Sequence, residues 1–544
     1  MDRLIRRVAL LVSKKGATFT YPLALGAWAV IFLFMSWTLS ISFETNDDVV
    51  MLMISSGVYS GTPDYHLVFI NVIYGLLLKG LYFILPGLEW YTILFCLLHI
   101  VSFSIILWVY SKRITTAFGQ LLLLLLLLVL QARFIVGLQF TTTAAIVACA
   151  GLSLYFERGK MVKFVGLFLF LIGSLIRFEA AMLCFGVYAP VMMFPLSGRI
   201  RSKRQFLNTG LILSAILVLP ILARVIDAQV YKHNPEWRYY VDYNRVRGAL
   251  NDNPNFARLL NDNPTYSIAD INDLQNLAYF IADPAILDLH VITQVKESLD
   301  IKPLSDKFQN VKTWICFYVD TIICILLLIL LLIFERKVTY RWGLLFSGLS
   351  FFMLLSWVSL NATVKERVFL SAITPLMLIM ILMIVNYQKK CWRIVVLSVL
   401  YLLTLHTIVK QTVDMYAVKK EQSRLVIKQL DLIKSSINCD FTPFGNSVTL
   451  EGVNPFSITS NFKSLNARMI GNGWLTEIPL NHRRMDSHLD FVEKPILIFM
   501  YKGSEPQIHN IQYCIKKNYQ IDTVLEVVAE DELSEIIIIK KKTI

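Results

Sequence analysis

The chain has 544 residues, 56% of them hydrophobic and 17% charged, whereas an ordinary soluble domain carries about a quarter charged residues. That balance excludes a wholly soluble protein, and apolar runs long enough to cross about 30 Å of hydrocarbon recur from residue 21 to residue 411. The net charge of +13 argues for the bilayer and against nucleic acid, because Lys and Arg fall in short clusters between apolar runs, the pattern of cytoplasmic loops.

Taken in chain order, the first run, "YPLALGAWAVIFLFMSWTLSI" at residues 21–41, is too long for a signal-peptide core and lacks a small-residue cleavage site, so it reads as a span. With the basic clusters cytoplasmic, further spans fall near 92–110, 119–136, 139–156, 163–180, 181–196, 206–224, 313–334, 342–360, 368–387 and 394–411. The expected fold is a polytopic α-helical membrane protein of about eleven spans in an inner (plasma) membrane, N-terminus cytoplasmic. Residues 1–411 form the membrane domain, with outer loops at 42–91 and 225–312. The segment "LVFINVIYGLLLKGLYFIL" at 67–85 is nearly span length, but counting it would turn every later basic cluster outward; it reads as a re-entrant or interfacial helix. Residues 412–544 form a small extracytoplasmic α/β domain: "PILIFMY" and "EIIIIKK" read as strands and "YCIKKNY" as a helix between them. Cys439 and Cys514 fall in this exported region, where a disulfide can form.

Chemistry concentrates on the outer side. "ISFETNDDVVMLM" places Asp47 and Asp48 side by side at the exit of the first span. In one reading Asn46 or Asp47 is an N-cap for the apolar segment 49–54. In the other, one carboxylate is a general base while its neighbour orients the acceptor or holds a divalent cation, since mutual repulsion separates their pKa values. The turn "SGVYSGTPDYHL" is expected to fold Asp64 and His66 back toward the pair. Later outer turns contribute Arg133, Arg177, Glu179, Lys365 and Arg367. Charges at that depth are costly unless they face a cavity, and the cations suit a phosphate leaving group. Trp474, in "GNGWLTEIPLNHRR", is either a core residue or a carbohydrate platform.

The long first outer loop, with "NDD" just after the first span, and the many-spanned layout with an outer C-terminal domain resemble the GT-C superfamily of integral-membrane glycosyltransferases. "SGVYSGTPDYHLVFINVIYGLLLKGLY" also looks like bacterial polysaccharide-cluster proteins of this kind. The resemblance implies a sugar donor on polyprenyl phosphate and an acceptor that is a glycan, lipid or protein. It implies inversion at the anomeric carbon, with Asp47 as base and Asp48 as its partner or the ligand of a divalent cation (Mg or Mn), their order exchangeable. Arg133, Arg177, Lys365 and Arg367 are phosphate candidates by charge and position.

Two alternatives stay open. A repeat-unit polymerase or ligase would rely on loop arginines such as Arg245, Arg247 and Arg258. A transporter or flippase would place ionisable groups near the midplane, where His99 and His406 are the main polar exceptions.

Overall fold

The computed structural model describes residues 20–155, 157, 159–193, 203–262, 266–299, 319–334, 338–361, 364–385, 391–436, 440–443, 448, 450–463, 469–480, 485–502 and 505–542. Each expected span coincides with a helix. The first is α1 (Tyr21–Leu39), followed by the outer helices α2 (Asn46–Ser56) and α3 (Val72–Ile84). Then come α4 (Trp90–Ser111), α5 (Ala117–Val136), α6 (Phe140–Leu154), α7 (Lys160–Ile176), α8 (Phe178–Met193) and α9 (Lys203–His233). The large outer loop folds as α10 (Pro235–Asn251), α11 (Pro254–Asp262), α12 (Ile271–Tyr279) and α13 (Leu289–Leu299), and the bundle resumes with α14 (Val319–Phe334), α15 (Val338–Asn361), α16 (Glu366–Val385) and α17 (Cys391–Ser436). Among the described residues, seven helices are long and apolar enough to cross a membrane; others, α6 and α8 among them, are shorter apolar helices. Helix α3 is a 13-residue apolar helix at the place where the sequence suggested a re-entrant or interfacial one.

The centre of the bundle is α6. All of its residues are buried, because its run of Thr, Ala and Gly lets neighbouring backbones approach closely. A Cβ on Gly151 would sit 2.6 Å from the Gly166 carbonyl of α7, so a larger side chain there would push the two helices apart. One polar chain runs through the bundle: Trp28 Nε1 donates to Gln131 Oε1 (3.2 Å), Gln131 Nε2 lies 3.4 Å from His99 Nδ1, and His99 Nε2 lies 3.0 Å from Thr143 Oγ1.

Helix α17 passes through residue 411 unbroken and carries the chain out to Ser436, a length of about 70 Å at 1.5 Å per residue. Beyond it, β1 (Phe441–Pro443), α18 (Ile458–Phe462), α19 (Asp490–Glu493), β2 (Leu497–Tyr501), α20 (Glu505–Tyr519), β3 (Thr523–Glu530) and β4 (Ser534–Lys541) build the C-terminal domain, the one expected on the outer side. Its sheet has the order β1-β2-β4-β3, with β1 parallel to β2 and the other pairs antiparallel. The expected strands are β2 and β4 and the expected helix is α20; β3 hairpins onto β4. The run of four isoleucines in β4 is explained by burial on both faces. Ile537 and Ile539 pack with Ile508, Ile511 and Ile515 of α20, while Ile536 and Ile538 pack against the large core shared with the membrane bundle. Cys514 is buried beside Asn276; Cys439 lies outside the described residues.

Candidate active site

The aspartate pair is aimed by a short extended segment. Ser42 and Glu44 donate their N–H groups to the carbonyls of Ile135 (3.2 Å) and Leu138 (3.0 Å), and Leu138 N–H donates back to Ser42 (2.7 Å). This fixes residues 42–44 against the end of α5 and sets where α2 begins. Helix α2 starts at Asn46, with Thr45 in the N-cap position. The expectation that Asn46 or Asp47 caps this helix is therefore corrected: both acids lie inside its first turn, where the helix dipole favours them. Asp48 caps a different helix. Its Oδ1 accepts from the N–H of Phe140 (3.0 Å), the first residue of α6, and from the Tyr91 hydroxyl (2.9 Å), while Oδ2 accepts from the Thr45 hydroxyl (3.3 Å). Asp48 is wholly buried. Burial raises its pKa well above the usual carboxylate range, and the charge of Asp47 adds to the rise against the opposing pull of the Tyr91 and Phe140 hydrogen bonds.

Asp47 is half-buried and faces the outer domain, its Oδ1 accepting from Trp474 Nε1 at 3.0 Å. Trp474 lies edge-on to Phe69 (ring centroids 4.9 Å apart), and Phe69 stacks on Phe140 (6.0 Å). The guanidinium of Arg177 lies 5.9 Å from the centre of the Phe69 ring and 5.5 Å from that of Phe140, within the range of cation–π attraction. The bond of Asp48 to Phe140 N–H closes this ring of contacts. Arg247, from α10, is half-buried and close enough for the charge of Asp47 to act on it, and its Nε and Nη2 donate to Asn244 Oδ1 at 3.2 and 3.1 Å. Arg367, at the start of α16, is within electrostatic reach of Asp48 and Glu44, and among the described residues its guanidinium has no hydrogen-bond or ion-pair partner. The half-open carboxylate thus meets an indole, aromatic rings that carry Arg177 and the nearby Arg247.

Other candidates are placed differently. Arg133 is fully buried between Glu366 (3.0 Å) and Glu44 (3.5 Å); two carboxylates already satisfy it, so it ties α5 and α16 to the α1–α2 connection and offers no free charge to a phosphate. Arg177 also pairs with Glu179 (3.0 Å), which pairs with Arg224 (3.2 Å). Lys365 pairs with Asp252 (3.2 Å) at the surface. The expectation that Asp64 and His66 join the aspartates is corrected. Asp64 N–H bonds the Ile54 carbonyl at the far end of α2, and the helix between Asp47 and Ile54 rises by about 10 Å. There Asp64 Oδ1 lies 2.7 Å from His66 Nδ1 and also accepts the His66 N–H (2.8 Å); despite burial these bonds hold its pKa below the usual value. The His66 ring stacks on Trp237 (4.3 Å) at the edge of an open cleft of ≈ 850 Å³ that also includes Lys232 and His233. A wall of Trp237, Tyr240 and Trp474 separates it from Asp47: Trp237 packs on Tyr240 (5.5 Å), whose hydroxyl donates to the Trp474 carbonyl (2.9 Å).

The donors around Asp48 are N–H and O–H groups, and among the described residues no cluster of three or more His, Cys, Asp or Glu could hold a metal ion. The surroundings of Asp48 therefore do not suit a divalent cation. One backbone strain sits beside the site: Val68, β-branched, adopts φ +67°, and its N–H donates to the Tyr231 hydroxyl (2.9 Å). That conformation turns the chain so that Phe69 meets Trp474.

Sequence reasoning missed Tyr91, Phe69 and Phe140 as neighbours of the pair and Glu366 as the partner of Arg133; nothing local marks such contacts. A signal for Trp474 was present in "GNGW", where Gly473 takes φ +59°, a left-handed conformation that glycine adopts freely.

No family model and no curated protein matches the chain. Among solved structures, ArnT from Cupriavidus metallidurans in the apo state superposes with a TM-score of 0.39 at 11% identity, over 94% of this chain and 98% of that one. A superposition of that quality assigns neither family nor activity.

Proposed function

We propose that the protein is an integral-membrane glycosyltransferase of the GT-C kind, moving a sugar from a polyprenyl-phosphate donor to a glycan, lipid or protein acceptor at the outer face of an inner membrane. The observation that carries this reading is the unlike setting of two adjacent acids. Asp48 is buried and saturated with donors, whereas Asp47 is half-open, held by one indole N–H and within electrostatic reach of Arg247. Asp47 accepts the proton of the acceptor hydroxyl as its oxygen attacks the anomeric carbon. The bond from that carbon to the phosphate oxygen breaks with its electron pair, inverting the centre, and arginine stabilises the departing polyprenyl phosphate. Arg247, Arg367 and Arg177 are the candidates for that last task, and no step runs through a metal ion.

The test is transfer from a labelled polyprenyl-phosphate sugar by purified protein in lipid nanodiscs without any gradient. Product with inverted anomeric configuration, lost in Asp47→Asn, supports the reading; full activity in Asp47→Asn sinks it. The position of Arg247 beside Asp47 also keeps a polysaccharide polymerase or ligase in play. That reading requires Arg247→Ala to abolish activity while Asp47→Asn is tolerated.

A further inference from the structure

Among the described residues, the hydrogen bond from the C-terminal domain to the aspartate pair comes from Trp474, and the loop that carries it is anchored from several directions. The Asn472 side chain donates to the Pro443 carbonyl (2.7 Å), Gly473 N–H to the Phe280 carbonyl (3.2 Å), and the Tyr240 hydroxyl to the Trp474 carbonyl (2.9 Å). The left-handed Gly473 turns the next residue inward, and a Cβ on Gly471 would collide with Leu475 and the Tyr59 hydroxyl (2.3 and 2.8 Å), so the loop has little freedom to move aside. Its product is the bond from the Trp474 indole N–H to Asp47 Oδ1, 3.0 Å long. A buried tryptophan needs only some acceptor; this one ends on the half-open member of the pair.

We propose that Trp474 is a positioning residue for Asp47, so that the C-terminal domain completes the active site. The inference rests on Asp47 being the general base. A neutral N–H aimed at one carboxylate oxygen stabilises the charged form and fixes the plane of the carboxylate, leaving the other oxygen to meet the acceptor hydroxyl. The same contact couples the outer domain to the chemistry: displacing the loop frees the base to rotate. Glu89 supports this docking, accepting from Thr459 N–H (2.6 Å) and its hydroxyl (2.8 Å), as does Thr92, donating to the Pro455 carbonyl (2.8 Å).

Two replacements test it in the full-length protein: Trp474→Phe, and benzothienylalanine at the same position, which keeps the volume and removes the N–H. Both should lower kcat about tenfold, with KM for the donor little changed. In isotope-labelled protein the indole N–H resonance of Trp474 should shift on Asp47→Asn. An unchanged kcat in the benzothienylalanine protein, or an indole resonance indifferent to Asp47→Asn, overturns the inference. Transfer that survives Asp47→Asn overturns the underlying function instead, and the resonance still reports whether the bond exists, so the two failures are distinguishable.

Discussion

The two sides of α2 treat charge in opposite ways. Behind the helix, the buried Asp48 and Arg133 and the partly buried Glu44 and Glu366 form a set in which each charge meets a partner on another element: the N-terminus of α6, the end of α5, the start of α16. In front of it, among the described residues, Asp47 meets the indole N–H, and Arg247 stands within electrostatic reach of Asp47 without a direct ion pair. The back region locks the bundle and the front region keeps charge available. Adjacent residues of one helix differ this much because successive side chains point about 100° apart, so Asp48 turns toward α6 while Asp47 turns toward the outer domain.

The largest test of this contrast separates the two acids by activity. Asp47→Asn should reduce kcat/KM about a thousandfold, the range for loss of a general base. Asp48→Asn keeps an acceptor for Phe140 N–H and the Tyr91 hydroxyl and should cost less than about tenfold. Equal losses in the two variants, measured by donor turnover, would erase the distinction.

Next in size is the buried ion set. Glu366→Ala leaves Arg133 buried with one distant carboxylate and should destabilise the fold by about 3 kcal/mol, measured by thermal unfolding in detergent. Adding Arg133→Met should restore part of that loss, because it removes the fully buried guanidinium, while Glu44 keeps Arg367 and Lys419 within electrostatic reach. Were the Glu366→Ala protein as stable as wild type, the back region would not be the lock described.

A smaller effect is expected from pH. The folded-state pKa of Asp48 is raised, chiefly by burial, above an unfolded value of about 3.9. The folded state therefore binds this proton more tightly. Its contribution to stability is full below the unfolded pKa and is lost as pH rises from about 4 through the shifted value. Asp48→Asn should flatten that part of the stability profile, and an unchanged slope would show that Asp48 is not its source.

The smallest effect concerns the strained corner on the front side. Val68→Gly relieves the φ of +67° and should stabilise by about 1 kcal/mol, while freeing Phe69 to drift from Trp474 and lowering activity modestly. A destabilised variant would mean that side-chain packing outweighs the strain.

Much of the fold was legible in the sequence. Span-length runs bounded by basic clusters marked the helices of the bundle, and the segment 67–85, read as a re-entrant or interfacial helix, contains the 13-residue apolar helix α3. The candidate site was legible only in part. "NDD" marked the place but not the division of labour, and Asp64 and His66 looked close to it because a turn is visible in sequence whereas the intervening rigid helix α2 keeps them apart. Arg133 looked free because Glu44 and Glu366 are far from it in the chain.

Composition and periodicity by themselves determined that this is a polytopic helical membrane protein with a C-terminal α/β domain and an acidic pair just after the first apolar helix, since hydrocarbon thickness and helical rise set those features locally. Tertiary structure alone decided that Asp48 caps α6, that Arg133 is neutralised, and that Trp474, more than four hundred residues downstream, reaches Asp47. The physical reason is burial. Whether a charge is paired or available depends on the elements packed around it, and no local pattern of residues encodes which elements those will be.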